Sequence, residues 1–270
     1  LNHAPNLVSE EEMRDIVQYG VSSEYAFAVI LSAAFGLDVA AHPDDKELFN
    51  HYFTKMIHKL DATEYYNNLY YKNIKIPTIK VGNSELKYEK YQPFEGFVCN
   101  DIIQTKEGRQ LPQIGFFETE FQFPAILENN RIWMTITPNE IETMKEPVNE
   151  AFGNVLTFGL GLGYYAYMVS EKDNVESVTI VEMNEDVIHT FKTYILPQFK
   201  HAHKITIIQA DAFEFAERHM AKEQYDFVFT DLWHDVSDGM NMYTRMKTYE
   251  KQSPNTIFSY WIEKSIACYL

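Results

Sequence analysis

Strand-like and helix-like segments alternate through the second half of the chain. Five buried-type apolar runs are typical of strands: 155–158, 178–181, 205–208, 227–230 and 256–258. Helical patterns over 164–170 and 185–196 separate the first three of these runs. Because strands and helices alternate at the spacing of βαβ units, we expect an open parallel α/β sheet here.

The start of the chain has helical patterns instead. Ser9 and Glu12 have the spacing of a capping box, 25–35 has the texture of a buried helix stopped by Gly36, and a third helix begins near Asp44. The apolar stripe that we assign to this third helix consists of Leu48, Phe49, Tyr52, Phe53, Met56, Ile57 and Leu60. These patterns predict a helical N-terminal region over 1–72.

The middle of the chain changes to short β-like runs that prolines and glycines interrupt. Asn129 and Asn130 lie between the apolar runs 125–127 and 132–134, and asparagine tolerates the positive φ angles of a tight hairpin. We therefore predict a β-rich region over 73–137. The α/β domain would then occupy 138–270, with Pro138 in the first turn of a leading helix.

Composition limits the class of protein. A content of 46% hydrophobic and 15% aromatic residues can form a core without metals or disulfides. The only cysteines, Cys99 and Cys268, lie far apart in no ligand spacing, which favours a reducing compartment. The longest apolar run, 25–36, is shorter than the roughly 20 residues that span a bilayer. We expect a cytoplasmic protein without a membrane partner.

Charge narrows the choice of partners. There are 39 acidic and 23 basic residues, and the net charge of −16 would repel a polyphosphate backbone, since no local basic patch reverses it. We expect no nucleic-acid partner and favour a small, cationic substrate. The alternative is that the acidic surface only keeps the protein in solution. Many exposed-looking aromatic residues before Gly153 also make a homodimer plausible.

The ends of the first four predicted strands carry groups that can bind a ligand. The first strand runs into the glycine loop 159–163, and the next three end at or near Glu182, Asp211 and Asp231. The carboxyl ends of parallel strands meet at one edge of an open sheet, where such sheets bind their ligands. The alternative is that each acid caps the helix that follows it.

These groups suit an adenosyl cofactor. Glycines leave bare backbone at a helix N-terminus, Glu182 can accept hydrogen bonds from ribose hydroxyls, and Asp211 can meet an adenine amine. A dinucleotide fingerprint would need a glycine where Tyr164 stands, so a nicotinamide cofactor is the second choice. The predicted cofactor-binding residues are Gly159, Leu160, Gly161, Gly163, Glu182, Met183, Asp211 and Ala212.

The segment 155–163 resembles the first motif of class I S-adenosylmethionine-dependent methyltransferases, and 178–187, 209–212 and 225–231 resemble the next three. Within that superfamily, 175–188 and 211–215 are most similar to the spermidine-synthase-like branch. The resemblance implies an α/β fold with a Rossmann-like class I methyltransferase sheet, preceded by a helical segment and a small β-rich region. Because few residues follow the fifth strand, the sheet either lacks its last two strands or is completed by the middle region.

The resemblance also implies the cofactor and the reaction. S-adenosylmethionine is the expected donor, with decarboxylated S-adenosylmethionine as the alternative. Leu162 replaces the loop aspartate of the spermidine-synthase-like branch, and the branch's acidic loop is here 231–235, Asp-Leu-Trp-His-Asp. Our main prediction is therefore methyl transfer to a small molecule or a protein. The alternatives are aminopropyl transfer of the spermidine-synthase type and a non-catalytic adenosyl-binding protein.

The loop 231–235 supplies the predicted catalytic residues. Asp231 or Asp235 would orient or deprotonate a cationic amine, and His234 would act as a general base. The alternative for His234 is an exposed imidazole without a chemical role. Nothing in the spacing fixes a metal-ligand geometry, so we predict no metal site.

Overall fold

A computed structural model describes residues 7–82 and 84–270. The helices are α1 (Glu10–Val17), α2 (Ser23–Ala34), α3 (Pro43–Leu48), α4 (Thr54–Met56), α5 (Ala62–Tyr66), α6 (Leu69–Asn73), α7 (Pro138–Glu150), α8 (Tyr164–Ser170), α9 (Glu185–Thr190), α10 (Ala212–Arg218), α11 (Val236–Lys247) and α12 (Glu263–Ala267). The strands are β1 (Ile57–Lys59), β2 (Ile79–Val81), β3 (Ser84–Tyr91), β4 (Phe97–Gln104), β5 (Gln110–Phe116), β6 (Phe121–Glu128), β7 (Arg131–Thr135), β8 (Gly153–Phe158), β9 (Val175–Glu182), β10 (Ile205–Gln209), β11 (Phe227–Thr230) and β12 (Ile257–Tyr260). Short π-helical turns follow α3 and α9.

The chain divides into two compact units. The first contains the described residues up to Tyr66 together with Glu89–Phe123, and the second contains Asn67–Tyr88 and Pro124–Leu270. The division into 1–72, 73–137 and 138–270 stays a prediction.

The first unit has a core of two helices and a three-stranded sheet. The predicted capping box of α1 is confirmed, since the Ser9 side chain accepts from the Glu12 backbone and Glu12 accepts from the Ser9 backbone. The sheet has the order β1-β5-β4, and Phe27 of α2 stacks on Phe116 of β5 with ring centroids 4.6 Å apart. In the described part of the chain, no helix combines the length and apolarity needed to cross a membrane.

The predicted third helix is wrong at its C-terminal end. Helical structure stops at Met56, and 57–59 form β1, where Ile57 pairs with Ile114 in a parallel ladder. Leu60 then donates its backbone N–H to Phe116 at 2.9 Å. The apolar positions fit a helix as well as a strand, and pairing with β5 decides between them because it satisfies the backbone while keeping Ile57 buried.

A four-stranded sheet has the order β2-β3-β6-β7, and its antiparallel pair β6–β7 confirms the predicted hairpin. Glu128 pairs with Arg131 across the two-residue turn. Asn129 and Asn130 have φ angles of 52° and 63°, which is the conformation that this turn requires at both central positions. The six strands between Ile79 and Thr135 confirm the β-rich region of the predicted fold.

The second unit contains the predicted Rossmann-like sheet. Its five strands are all parallel and have the order β10-β9-β8-β11-β12. β8 lies in the centre, β9 and β10 follow on one side of it, and β11 and β12 follow on the other. This is the strand order of doubly wound nucleotide-binding folds. The fold class predicted from the sequence is confirmed, and this sheet has five strands within the described residues.

A buried tyrosine supports the loop that follows β8. The Tyr70 hydroxyl of α6 donates to the backbone carbonyl of Leu162 at 2.6 Å, and Tyr70 is fully buried. Replacing Tyr70 with phenylalanine leaves that carbonyl unsatisfied, so we expect the free energy of unfolding to fall by about 1 to 3 kcal/mol. Urea denaturation measures the loss. Tyr269→Phe, at an exposed position, is the control, and equal losses in both variants would contradict the prediction.

Candidate functional site

The glycine loop turns sharply between β8 and α8. Gly159 has a φ of 96°, and a Cβ at this position would overlap the backbone carbonyl oxygen of Asp231. Only glycine permits both this angle and this approach, so the loop lies directly against the end of β11. Gly161 has more room, because the nearest atom to a Cβ there is the Met134 sulfur at 3.9 Å.

Glu182, the last residue of β9, holds the loop in place. One of its carboxylate oxygens accepts from the Leu160 backbone at 3.2 Å, and the other accepts from the Asn184 backbone at 2.7 Å. Met183 follows with 69% of its surface exposed, which leaves its thioether free to contact a ligand. The second strand therefore ends beside the loop, as the predicted site requires.

These residues line a cavity of about 550 Å³ within the second unit. The predicted residues on its wall are Gly159, Leu160, Gly161, Glu182, Met183, Asp231 and His234. A volume of this size is in the range of sites that take a small molecule or cofactor. The structure thus brings together most of the predicted cofactor site and two of the three predicted catalytic residues.

Four predicted residues do not line this cavity: Gly163, Asp211, Ala212 and Asp235. Asp211 is the N-cap of α10 and accepts from the Glu214 backbone at 2.8 Å, and Asp235 is the N-cap of α11 and accepts from the Ser237 backbone at 2.7 Å. The capping alternative describes Asp211, and Asp235 also caps a helix, although that alternative did not include it. The cofactor-binding role of Asp211 and the catalytic role of Asp235 stay predictions. Gly163 is the N-cap of α8, and Ala212 is a buried first residue of α10.

Glu140 is a residue of the cavity that sequence reasoning missed. It lies in the first turn of α7 and lines the cavity together with Asp231. Its only signal in the sequence is an acid two residues after Pro138, which is an ordinary position for a helix-starting carboxylate. Nothing in that pattern relates Glu140 to the strand ends.

The charge of Asp231 acts on the carboxyl group of Glu140. Both are half-buried, so they reach the cavity while enough protein surrounds them to remove much of their hydration. Desolvation raises the pKa of Asp231 to about 7. Desolvation, reinforced by the charge of Asp231, raises the pKa of Glu140 well above its usual value. Such a pair favours a cationic ligand, which would compensate the charge of both carboxylates.

Two further polar residues, Tyr165 and His234, line the cavity. Tyr165 stacks on Phe229 at a ring distance of 4.3 Å, and among the described residues its buried hydroxyl finds no hydrogen-bond partner. His234 packs against Trp133 at 4.6 Å, and its Nδ1 lies 3.1 Å from an Asp238 carboxylate oxygen. Of the two side chains, His234 is the exposed one and leaves its Nε2 available for a ligand.

The titratable residues of the loop do not converge as metal ligands. Within 7–82 and 84–270, no three His, Cys, Asp or Glu side chains come together at metal-binding distances. Asp235 is engaged at the N-terminus of α11, as described above, instead of joining Asp231 and His234.

A Rossmann-like sheet with a glycine loop, a strand-end acid and an adjacent cavity defines a nucleotide-type ligand site. Residues 142–253 match the family model of the spermine/spermidine synthase domain, which confirms the resemblance to the spermidine-synthase-like branch. The matched domain is a transferase domain. A search among curated proteins finds no match.

Two solved structures of spermidine synthases are also similar to this chain. One is the enzyme from Thermotoga maritima, with a TM-score of 0.37, 18% identity, and coverage of 52% of this chain and 53% of that one. The other is a complex with the transition-state analogue AdoDATO, with a TM-score of 0.36, 17% identity, and coverage of 52% of both chains. The chain spans about half the length of each.

The main functional prediction, methyl transfer, is wrong. The domain that matches 142–253 is a spermine/spermidine synthase domain, which supports the alternative of aminopropyl transfer. The substitution of Leu162 for the loop aspartate led to the error. The absence of that aspartate does not remove acids from the cavity, because Glu140 also lies on its wall.

Proposed function

We propose that this chain is an aminopropyltransferase that uses decarboxylated S-adenosylmethionine and transfers its aminopropyl group to a small amine. The match to a spermine/spermidine synthase domain supports the reaction class. The charge of the cavity supports the donor, and this is the observation on which the proposal depends.

The cavity favours a donor without a carboxylate. Three acids lie on its wall, and Glu182 is the one whose carboxylate already accepts from backbone N–H groups. Glu140 and Asp231 are the other two, and none of the described residues lining the cavity is a lysine or arginine. The carboxylate of S-adenosylmethionine would face like charges there, which costs several kcal/mol in a desolvated site. The decarboxylated donor ends in an ammonium group, which both acids attract.

The nucleoside end of the donor fits the other side of the same cavity. Glu182 already braces the loop and offers carboxylate oxygens toward ribose hydroxyls, and Gly161 leaves the backbone uncovered beside it. Met183 is exposed at the same wall and suits an adenine face.

Donor discrimination is the prediction that tests this assignment. At pH 8, where Asp231 is ionised, we expect decarboxylated S-adenosylmethionine to bind about 10-fold or more tightly than S-adenosylmethionine, because only the latter has a carboxylate. Isothermal titration calorimetry measures both affinities. Glu140→Gln should reduce the difference, while Glu142→Gln, on the same helix but outside the cavity wall, should preserve it.

Turnover completes the test. Incubation with the decarboxylated donor and putrescine or spermidine should yield methylthioadenosine and an amine longer by one aminopropyl group, both detected by mass spectrometry. Tighter binding of S-adenosylmethionine would refute the assigned donor. Donor binding without product across a panel of amines would instead identify a non-catalytic adenosyl-binding protein.

A further inference from the structure

His234 and Asp238 form a hydrogen-bonded pair at the cavity that the reaction class alone does not explain. His234 lines the cavity, whereas Asp238 lies one turn into α11 and does not. The Asp238 carboxylate accepts from the backbone N–H groups of His234 and Asp235, each at 3.1 Å, and lies 3.1 Å from Nδ1 of the imidazole. This carboxylate is therefore fixed in place before it meets the ring.

The contact decides which imidazole nitrogen is free. An ionised carboxylate can only accept hydrogen bonds, so a neutral His234 must carry its proton on Nδ1, and the lone pair of Nε2 is left available. Although partial burial acts against it, the hydrogen bonds from Asp235 and His234 hold the pKa of Asp238 below its usual value. Asp238 is thus ionised at neutral pH. Trp133 packs against the ring and limits its rotation.

We propose that Nε2 of His234 is the base that removes a proton from the acceptor amine, and that Asp238 positions this imidazole. The inference rests on the proposed function. A primary amine is an ammonium ion at neutral pH and has no lone pair with which to attack, so the reaction requires its deprotonation. The 52% exposure of the His234 side chain then gives the proton a route to solvent.

The chemical step balances with these residues. The acceptor ammonium gives one proton to Nε2. Its nitrogen then attacks the methylene carbon of the aminopropyl group that is bonded to the sulfonium sulfur. The carbon–nitrogen bond forms while the carbon–sulfur bond breaks, and the electron pair of that bond stays on sulfur. The products are methylthioadenosine and a secondary ammonium ion, and the imidazolium releases its proton to water.

Several other titratable groups surround this imidazole. Asp235 and Asp238 flank it at the start of α11, and Glu140, Tyr164, Tyr165, Glu182 and Asp231 line the same cavity. Asp231 is the competing base, because its pKa of about 7 would also permit proton transfer. The assignment to His234 rests on geometry. The hydrogen bond to Asp238 fixes Nε2 as the free nitrogen of His234. Asp231 lies on the cavity wall with Glu140, and in the proposed function these two acids bind the ammonium group of the donor.

The test compares variants at two pH values. His234→Gln should lower kcat with putrescine by about 100-fold or more at pH 7 while donor affinity by calorimetry is unchanged. Near pH 9.5 the deficit should shrink to less than about 10-fold, because solution then supplies free amine, whose pKa is about 10. Asp238→Asn should show a smaller deficit that shrinks in the same way.

Controls separate the outcomes. Glu12→Gln changes the equivalent capping-box acid of α1, which does not line the cavity, and should keep wild-type kcat at both pH values. A His234→Gln deficit that stays constant with pH, or wild-type kcat in this variant, would overturn the proposal while the aminopropyl reaction stands. A wild-type protein that makes no product with any amine would overturn both.

Discussion

Gly159→Ala is expected to abolish measurable donor binding and to lower the free energy of unfolding by about 3 kcal/mol. The added Cβ would overlap the carbonyl oxygen of Asp231, and a backbone atom that follows directly on β11 cannot rotate away as a flexible side chain can. The φ of 96° at this position is also unfavourable for alanine. To remove this overlap, the glycine loop and the end of β11 must move apart. That movement displaces Leu160, Glu182 and Asp231 together.

Gly161→Ala is the matched control for this prediction. Gly161 belongs to the same loop and also has a positive φ, 52°, but a Cβ there meets only the Met134 sulfur at 3.9 Å. We expect a loss of about 1 kcal/mol from backbone strain alone. Urea denaturation gives both stabilities, and calorimetry with the decarboxylated donor gives the affinities. Equal losses of stability in the two variants would show that the contact with Asp231 has no structural weight.

The sheet could be predicted because its signal is local and repeated. Strands buried on both faces form continuous apolar runs, and β8 and β11 end where their runs end, while β9 and β10 end one residue later. The hairpin at Asn129 could also be predicted from the sequence. Few pairs of residues adopt positive φ angles at two successive positions, and Asn129 and Asn130 do. Sequence patterns thus determine which edge of the sheet carries the site.

The choice between binding and capping could not be predicted. Glu182 ends one parallel strand and Asp211 follows the next. Glu182 accepts from the backbone of the glycine loop, whereas Asp211 accepts from the Glu214 backbone N–H in the first turn of α10. Each carboxylate satisfies a backbone donor, and the two cases differ only in which donor lies nearest. That difference depends on the exact path of the chain after each strand, which the residue types do not encode.

Glu140 was missed for a different reason. It comes from α7, outside the repeated strand and loop motifs, and reaches the cavity through the packing of that helix in the second unit. A contact between distant parts of the chain likewise decides the structure of 57–59. These residues pair with β5 and form a strand, although the local pattern predicts a helix. Local patterns identify elements, but a cavity is lined by whichever elements meet, so an acid on its wall can come from a part of the chain outside the strand and loop motifs.

Asp231→Asn is expected to make the protein more stable at pH 8 and to weaken donor binding. The pKa of Asp231 is about 7 in the folded protein, against an ordinary value of 3.8. At a pH between these two pKa values, Asp231 keeps its proton in the folded protein and has released it in the unfolded chain. The free energy of unfolding therefore falls as pH rises from about 4 to about 7, and the loss persists at higher pH.

The asparagine variant lacks this loss because its side chain stays neutral. Near pH 4 the wild type also has a neutral Asp231, so the two proteins should have similar stabilities there. At pH 8 the variant should be more stable by an amount on the order of 1 kcal/mol or more. Removing the charge of Asp231 also relieves its repulsion of Glu140, which acts in the same direction.

The gain in stability and the loss of function should appear together. A charged hydrogen bond to the donor ammonium contributes about 1.5 to 3 kcal/mol, so Asp231→Asn should bind decarboxylated S-adenosylmethionine about 10- to 100-fold more weakly at pH 8. Denaturation at pH 4, 6 and 8 with calorimetry at pH 8 measures both. Asp235→Asn, an exposed residue of the same loop, should show no gain with pH. If Asp231→Asn is less stable than the wild type at pH 8, the prediction is wrong. Asp231 would then stabilise the fold, and its charge would not be explained by binding of a cationic ligand.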